Sequence, residues 1–109
     1  MNEVCIKPLS VNEAWKGRRF KTDAHKAYRQ ELSLLLPKNV DIPEGQLEVE
    51  YLFNVSSKQS DYDNLIKAFQ DALCDKYGFD DSRIYKATII KNVVDKGSES
   101  IGFSFKRYE

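Results

Sequence analysis

Cysteine is scarce. Cys5 and Cys74 are the only two in 109 residues, they stand far apart, and neither CxxC spacing nor a histidine cluster accompanies them, which excludes a disulfide framework and a thiolate zinc site. His25 is the single histidine; set among charged neighbours in a helical segment, it reads as a solvated position. No stretch approaches the roughly 20 apolar residues of a membrane span, and MNEVCIKPLS has no signal-peptide core, so a cytoplasmic protein without a membrane partner is expected. GxSxG, Walker and GxGxxG patterns are missing, which leaves triad, nucleotide-binding and dinucleotide readings unsupported and implies no organic cofactor. Net charge is missing too, with 17 basic side chains against 17 acidic ones, so the basic surplus common in nucleic-acid binders is not there.

The distribution of that charge says more than its sum. Between Lys16 and Arg29 lie six cations (Lys16, Arg18, Arg19, Lys21, Lys26, Arg29) against the single acid Asp23, whereas carboxylates collect between Asp61 and Asp81. A basic face beside an acidic pocket adds up to zero.

The length suits one domain over residues 1–109, since folding at this size leaves no apolar material for a second core. Val4 and Ile6 give a short strand over residues 3–7 that Pro8 ends. Residues 10–20 lack a clean period and contain Gly17, which reads as an ordered loop, with Trp15 as a packing anchor. From Thr22, a capping residue, Ala24, Ala27, Tyr28, Leu32 and Leu35 recur at helical spacing up to Pro37. Leu47, Val49, Tyr51, Phe53 and Val55 alternate, with Glu48 and Glu50 opposite, as in a half-buried strand. A second helix from about Asp61 to Asp75 carries the stripe Leu65, Phe69, Ala72 and Leu73, with Cys74 as a semi-buried thiol and Gly78 just past the end. Residues 83–94 are β-branched, and a turn at Asp95, Lys96 and Gly97 leads to alternating Ile101, Phe103 and Phe105, which predicts an antiparallel hairpin. The expected fold is α/β (α+β): a small mixed sheet, element order β-α-β-α-β-β, with the helices packed on one face.

The densest polar signal is Asp61, Asp63, Asn64 and Lys67 at the start of the second helix, followed by Asp80 and Asp81 beyond Gly78. Two carboxylates one residue apart can share a cation at a turn, and a third can return from a loop across the helix; Asp61, Asp63, Asp81 and the adjoining Asp80 are the candidate metal ligands. Such oxygens suit Mg²⁺ or Mn²⁺, ions that keep waters and take phosphate oxygens at the same time, so phosphodiester hydrolysis is the fitting reaction. Lys67, one helical turn after Asp63, could hold the scissile phosphate or offset charge that develops on it, with Asp71 a turn further on to orient it. Each piece also has a plain reading. Ser60-x-x-Asp63 has the form of a capping box, acids are favoured in a first turn, and Asp80 with Asp81 can shape a turn. Capping does not call for all of them together, and the joint pattern points to chemistry.

Asp61-Tyr62-Asp63-Asn64-Leu65-Ile66-Lys67, continuing through Asp71-Ala72-Leu73 to Asp80-Asp81-Ser82-Arg83-Ile84, resembles the RusA-like Holliday junction resolvases of bacteria and their phages. Pro8, Ser10-Val11-Asn12, Trp15, Gly17-Arg18-Arg19-Phe20, Lys21-Thr22 and Tyr28-Arg29 reinforce the resemblance, which covers most of residues 8–90. It implies that Asp61, Asp63 and Asp81 are metal-binding acids, that Lys67 is the catalytic lysine, and that the chain forms a homodimer making paired Mg²⁺- or Mn²⁺-dependent nicks in branched DNA, the four-way junction above all, in recombination and repair. One departure is Ser60, where family members often carry a base; the nearest here is Lys58. For DNA contact the candidates are Asn12, Lys16, Arg18, Arg19, Lys21 and Lys58, as neutralisers of phosphate. Two other classes compete with the nuclease: a junction-binding module without useful catalysis, and a structural domain with a capped acidic helix.

Overall fold

The computed structural model describes residues 1–10, 15–16 and 20–109, the pairs 15–16 and 20–21 by their backbone alone. Its strands are β1 (Asn2–Val4), β2 (Trp15–Lys16), β3 (Phe20–Lys21), β4 (Leu47–Val55), β5 (Ile84–Val93) and β6 (Ser100–Arg107), and its helices α1 (Asp23–Leu35) and α2 (Ile66–Tyr77). Four strands form one mixed sheet in the order β1-β6-β4-β5, while β2 and β3 pair only with each other. The α+β fold carries two short strands more than the pattern predicted, β2 inside and β3 at the end of the segment read as a loop.

β4 forms because its alternate residues from Leu47 to Val55 are buried while those between them are half-buried, the period of a strand with one face on a core. α1 starts where the Thr22 hydroxyl accepts from His25 N at 3.1 Å and stops at Leu36, which turns extended with ψ 139° because Pro37 disfavours helical backbone before it. α2 ends at Gly78, whose φ of 70° is the left-handed conformation that glycine adopts without steric cost. The next residue, Phe79, turns inward and meets Phe105 edge-on.

Phe69 on α2 is the centre of the core. Its ring meets Tyr51, Phe53 and Phe103 at centroid separations of 5.5, 5.9 and 5.7 Å, each steeply tilted, the edge-to-face geometry in which ring quadrupoles attract. α1 is tied to α2 by the Arg29–Asp75 ion pair, and by Lys76 Nζ and the Tyr77 hydroxyl, which donate to the carbonyls of Ser33 and Pro37 at 2.8 and 2.7 Å.

Several expectations need correction. The strands over 84–93 and 100–107 are not a hairpin: β4 lies between them, parallel to β5 and antiparallel to β6. A strand-helix-strand connection makes parallel neighbours, and the chain from β4 through α2 to β5 is one. β6, buried on both faces from Ser100 to Phe103, takes the interior, and β5, exposed over most of its length with Lys86 and Asn92, takes the edge that polar and charged side chains protect. The second helix does not begin at Asp61. A 3-10 turn, Tyr62–Leu65, precedes α2; Asp61 rather than Ser60 stands at its cap, without a side-chain cap bond, so the capping box from Ser60 is not made, and Asn64 N donates to the Asp61 carbonyl at 3.2 Å. In α1 the inward stripe is His25, Tyr28 and Leu32, with Ala24, Ala27 and Leu35 exposed. His25, 1% exposed, is therefore a core residue, because it sits three before Tyr28 and seven before Leu32 on one helical face. The first strand is the shorter Asn2–Val4, although Val4 and Ile6 are both buried as expected. Among the described residues no helix is long and apolar enough to cross a membrane.

Phe69→Ala removes the ring that joins α2 to three aromatic partners and is expected to cost about 3–5 kcal/mol, read as a lower urea midpoint with an unchanged slope.

Candidate functional site

The two acidic groups singled out in the sequence stand at the two ends of α2. At its head, the chain leaving β4 runs through a serine-rich bend in which Gln59 N donates to Ser57 Oγ at 3.2 Å and Ser60 N to the Ser57 carbonyl at 3.3 Å. Asp61 follows, exposed, and its Oδ2 accepts from Asn64 Nδ2 at 3.4 Å. Asp63 is exposed within the 3-10 turn, and Asp61, Asn64, Ser60, Ser10 and Lys7 line a cavity of about 300 Å³. Lys67, one turn on, lies 3.4 Å from Asp71 Oδ2. An exposed i,i+4 pair is worth only about 0.3–0.5 kcal/mol, so Asp71 aims the ammonium without anchoring the fold.

At the tail of α2 the reversal at Gly78 brings in Asp80 and Asp81. Asp80 Oδ1 accepts from Ser82 N at 3.0 Å, capping the 3-10 turn Asp81–Arg83; that backbone bond, with the Ser82 hydroxyl, lowers the Asp80 pKa. Asp80 thus shapes the turn. Arg83 holds the turn against the sheet, Nε donating to the Gly45 carbonyl at 3.0 Å and the guanidinium also to that of Pro43. Asp81 is left exposed, and with Asp80, Asp71, Asp75, Arg29 and Cys74 it lines a second cavity, of about 510 Å³. Burial pushes the Cys74 thiol up to about 11, and the carboxylates of Asp81, Asp71, Asp75 and Asp80 reinforce this. Burial likewise raises the pKa of the Tyr51 phenol, which donates to Gln70 Oε1 at 3.0 Å.

The arrangement is a file along one helix: Asp61 and Asp63 at the head, Lys67 and Asp71 on the exposed side, Asp81 at the tail. A helix of 12 residues is about 18 Å long. Asp81 lines a cavity with Asp71 and Cys74, Asp61 a different one, and among the described residues no three carboxylate, histidine or cysteine groups stand close enough to hold a metal. The donors at each end are nevertheless hard, exposed oxygens, and Mg²⁺ ordinarily takes one or two carboxylates together with waters and substrate phosphates; the chemistry of the set fits that ion even though no closed cage exists.

Of the candidate DNA contacts, Asn12, Arg18 and Arg19 lie outside the described residues, Lys16 and Lys21 are described by backbone alone, and Lys58 is exposed just before Asp61. One residue beside the site escaped the sequence reading. Lys91 on β5 donates from Nζ to the carbonyls of Lys58 and Ser60 at 3.1 and 2.7 Å. No motif marks it, and only the parallel pairing of β4 with β5 brings it there.

The family model described as endodeoxyribonuclease RusA matches residues 7–100. The chain belongs to the RusA family. The matched span encloses both ends of α2, Lys67, Lys91 and the basic segment, so the RusA match covers every site residue named above. A comparison with curated proteins found no match. RusA proteins are endodeoxyribonucleases, hydrolases that cut DNA within the strand, and the carboxylates of this member sit where a cation and a phosphate have access.

With its thiol pushed up to about 11, Cys74 holds only about 0.1% thiolate at pH 8, and the thiolate is the reacting form. Exposed Cys5 is expected to react with iodoacetamide at least tenfold faster; mass spectrometry of a time course reads both sites, and equal rates would contradict this electrostatic picture.

Proposed function

We propose that this chain is a structure-selective endodeoxyribonuclease that resolves four-way junctions and other branched DNA in recombination and repair, hydrolysing a phosphodiester bond in each of two strands with Mg²⁺ or Mn²⁺ and acting as a homodimer. The observation that carries the reading is the RusA match over residues 7–100, which encloses exposed carboxylates at both ends of α2 with Lys67 between them.

Asp61 and Asp63 would hold the cation, with the Asp61 carboxylate set by Asn64. When bound, the ion polarises the phosphoryl oxygens and offsets the charge that grows on them. Lys67, aimed by Asp71, donates a hydrogen bond to a phosphate oxygen as that charge develops. The basic segment with Asn12, Lys16, Arg18, Arg19 and Lys21, and Lys58 nearer the acids, grips the backbone without reading bases.

The grouping of the acids supports a stronger statement about the homodimer. Since no third carboxylate among the described residues joins Asp61 and Asp63, Asp81 of a second copy would complete each metal site, and a two-fold axis would make two such sites at once. The exposed edge of β5 suits that axis. Antiparallel pairing of two copies centred on Ile89 sets Ala87 opposite Lys91 and Lys86 opposite Asn92, so like charges do not oppose each other. It also turns the Asp61 end of one chain toward the Asp81 end of the other.

Cleavage of a synthetic four-way junction with Mg²⁺ tests the reading. Lys67→Ala is expected to slow cutting about a hundredfold or more, and Asp63→Asn and Asp81→Asn each to abolish it, with EDTA removing cleavage but leaving salt-sensitive binding. Mixing the two inactive aspartate variants is expected to restore about a quarter of the wild-type sites, since half of the dimers are mixed and each has one intact pair of ends. A mixture that stays inactive means the acids do not act across two chains. Binding without cleavage under any divalent ion would leave a junction-binding module.

A further inference from the structure

We infer that Lys91 is a positioning residue for the metal-binding carboxylates, acting through the backbone of the bend that precedes Asp61. This rests on the nuclease reading above for its effect on cleavage, but its geometry stands independently. In the parallel ladder Lys91 is the partner of Phe53, and partners in register point to the same side of a sheet, so the Lys91 stem lies on the face that Phe53 shares with α2. From there its ammonium reaches the carbonyls of Lys58 and Ser60 at 3.1 and 2.7 Å, the second partly buried. A lysine ammonium has three donors and no acceptor, and two of the three are spent on carbonyls that no strand or helix ladder uses.

The Ser60 carbonyl belongs to the peptide joined directly to Asp61. Fixing it fixes the plane from which the Asp61 side chain departs, and Asn64 fixes the carboxylate from the other flank at 3.4 Å. Ser56 Oγ donates to Glu99 Oε2 at 3.0 Å where the bend begins, but the bend itself, residues 57–60, has few bonds of its own among the described residues. Its own bonds are the two at 3.2 and 3.3 Å to Ser57, and Ser57, Lys58 and Gln59 are exposed. A charged donor gives roughly twice the strength of a neutral one, so the tether from β5 dominates the bend. The chemistry explains why a lysine rather than a neutral donor stands here: one side chain must reach two carbonyls two residues apart from a neighbouring strand.

The test is Lys91→Met, which keeps the stem and removes the donors, beside Lys91→Arg, which keeps charge and donors. Amide hydrogen exchange on the full chain is expected to speed up several-fold at residues 58–61 in Lys91→Met, with the α2 amides unchanged, and to return toward wild type in Lys91→Arg. In the junction assay Lys91→Met is expected to need about tenfold more Mg²⁺ for half-maximal cutting, the size usual for loss of a ligand's outer support, with activity recovering at high Mg²⁺. Unchanged exchange at 58–61 would overturn the tether. Faster exchange with wild-type Mg²⁺ dependence would overturn its role for the carboxylates. If wild type cuts no junction, the nuclease reading fails while the exchange measurement still decides the tether.

Discussion

Phe69 sets the geometry of everything functional in this molecule. Three aromatic rings from β4 and β6 close on it edge-first, and burial of a side chain of this size contributes about 1.5–3 kcal/mol before the ring-ring attraction is counted. Because the ring is fully buried, α2 cannot slide or roll over the sheet without opening the core. The positions of Lys67 and Asp71 on its outer side are therefore as rigid as the core is, and Asp63 just before its start and Asp81 after its end are set by the same helix.

That rigidity coexists with carboxylates that are free to take a ligand. Asp61, Asp63 and Asp81 are exposed, so their charge is solvated and costs the fold little, while Asp80 is engaged by Ser82 and serves the turn. Acids distributed over two ends of a helix also repel one another less than a closed cluster does.

Much of the fold was legible because burial and period agree. The alternation from Leu47 to Val55 and the stripe Leu65, Phe69, Ala72 and Leu73 each allow one solution. The hairpin failed because the turn at Gly97 is real but local: strand adjacency depends on the helix between β4 and β5, a relation that pattern reading of each strand alone does not contain. His25 misled because a residue type usually found at the surface occupied an inward position. At the site, residue types were legible and their grouping was not. Asp61, Asp63 and Asp81 were joined by their motif and by an expected return of the loop after Gly78, and such a return is a long-range relation that residue types alone do not contain. Lys91 had no local signal at all, since its partners are created by parallel register.

The place of β6 has a consequence for how the chain reaches this state. β6 is hydrogen-bonded on both sides, to the edge strand β1 and to β4, with Asn2 opposite Phe103, so residues far apart in sequence are neighbours in the sheet. During synthesis β4 and α2 emerge with one side of Phe69 uncovered, because Phe103 has not yet been made. Closure of the core around Phe69 therefore waits for β6, and the pairing of β1 with β6, between residues about a hundred positions apart, carries the largest loop-closure cost.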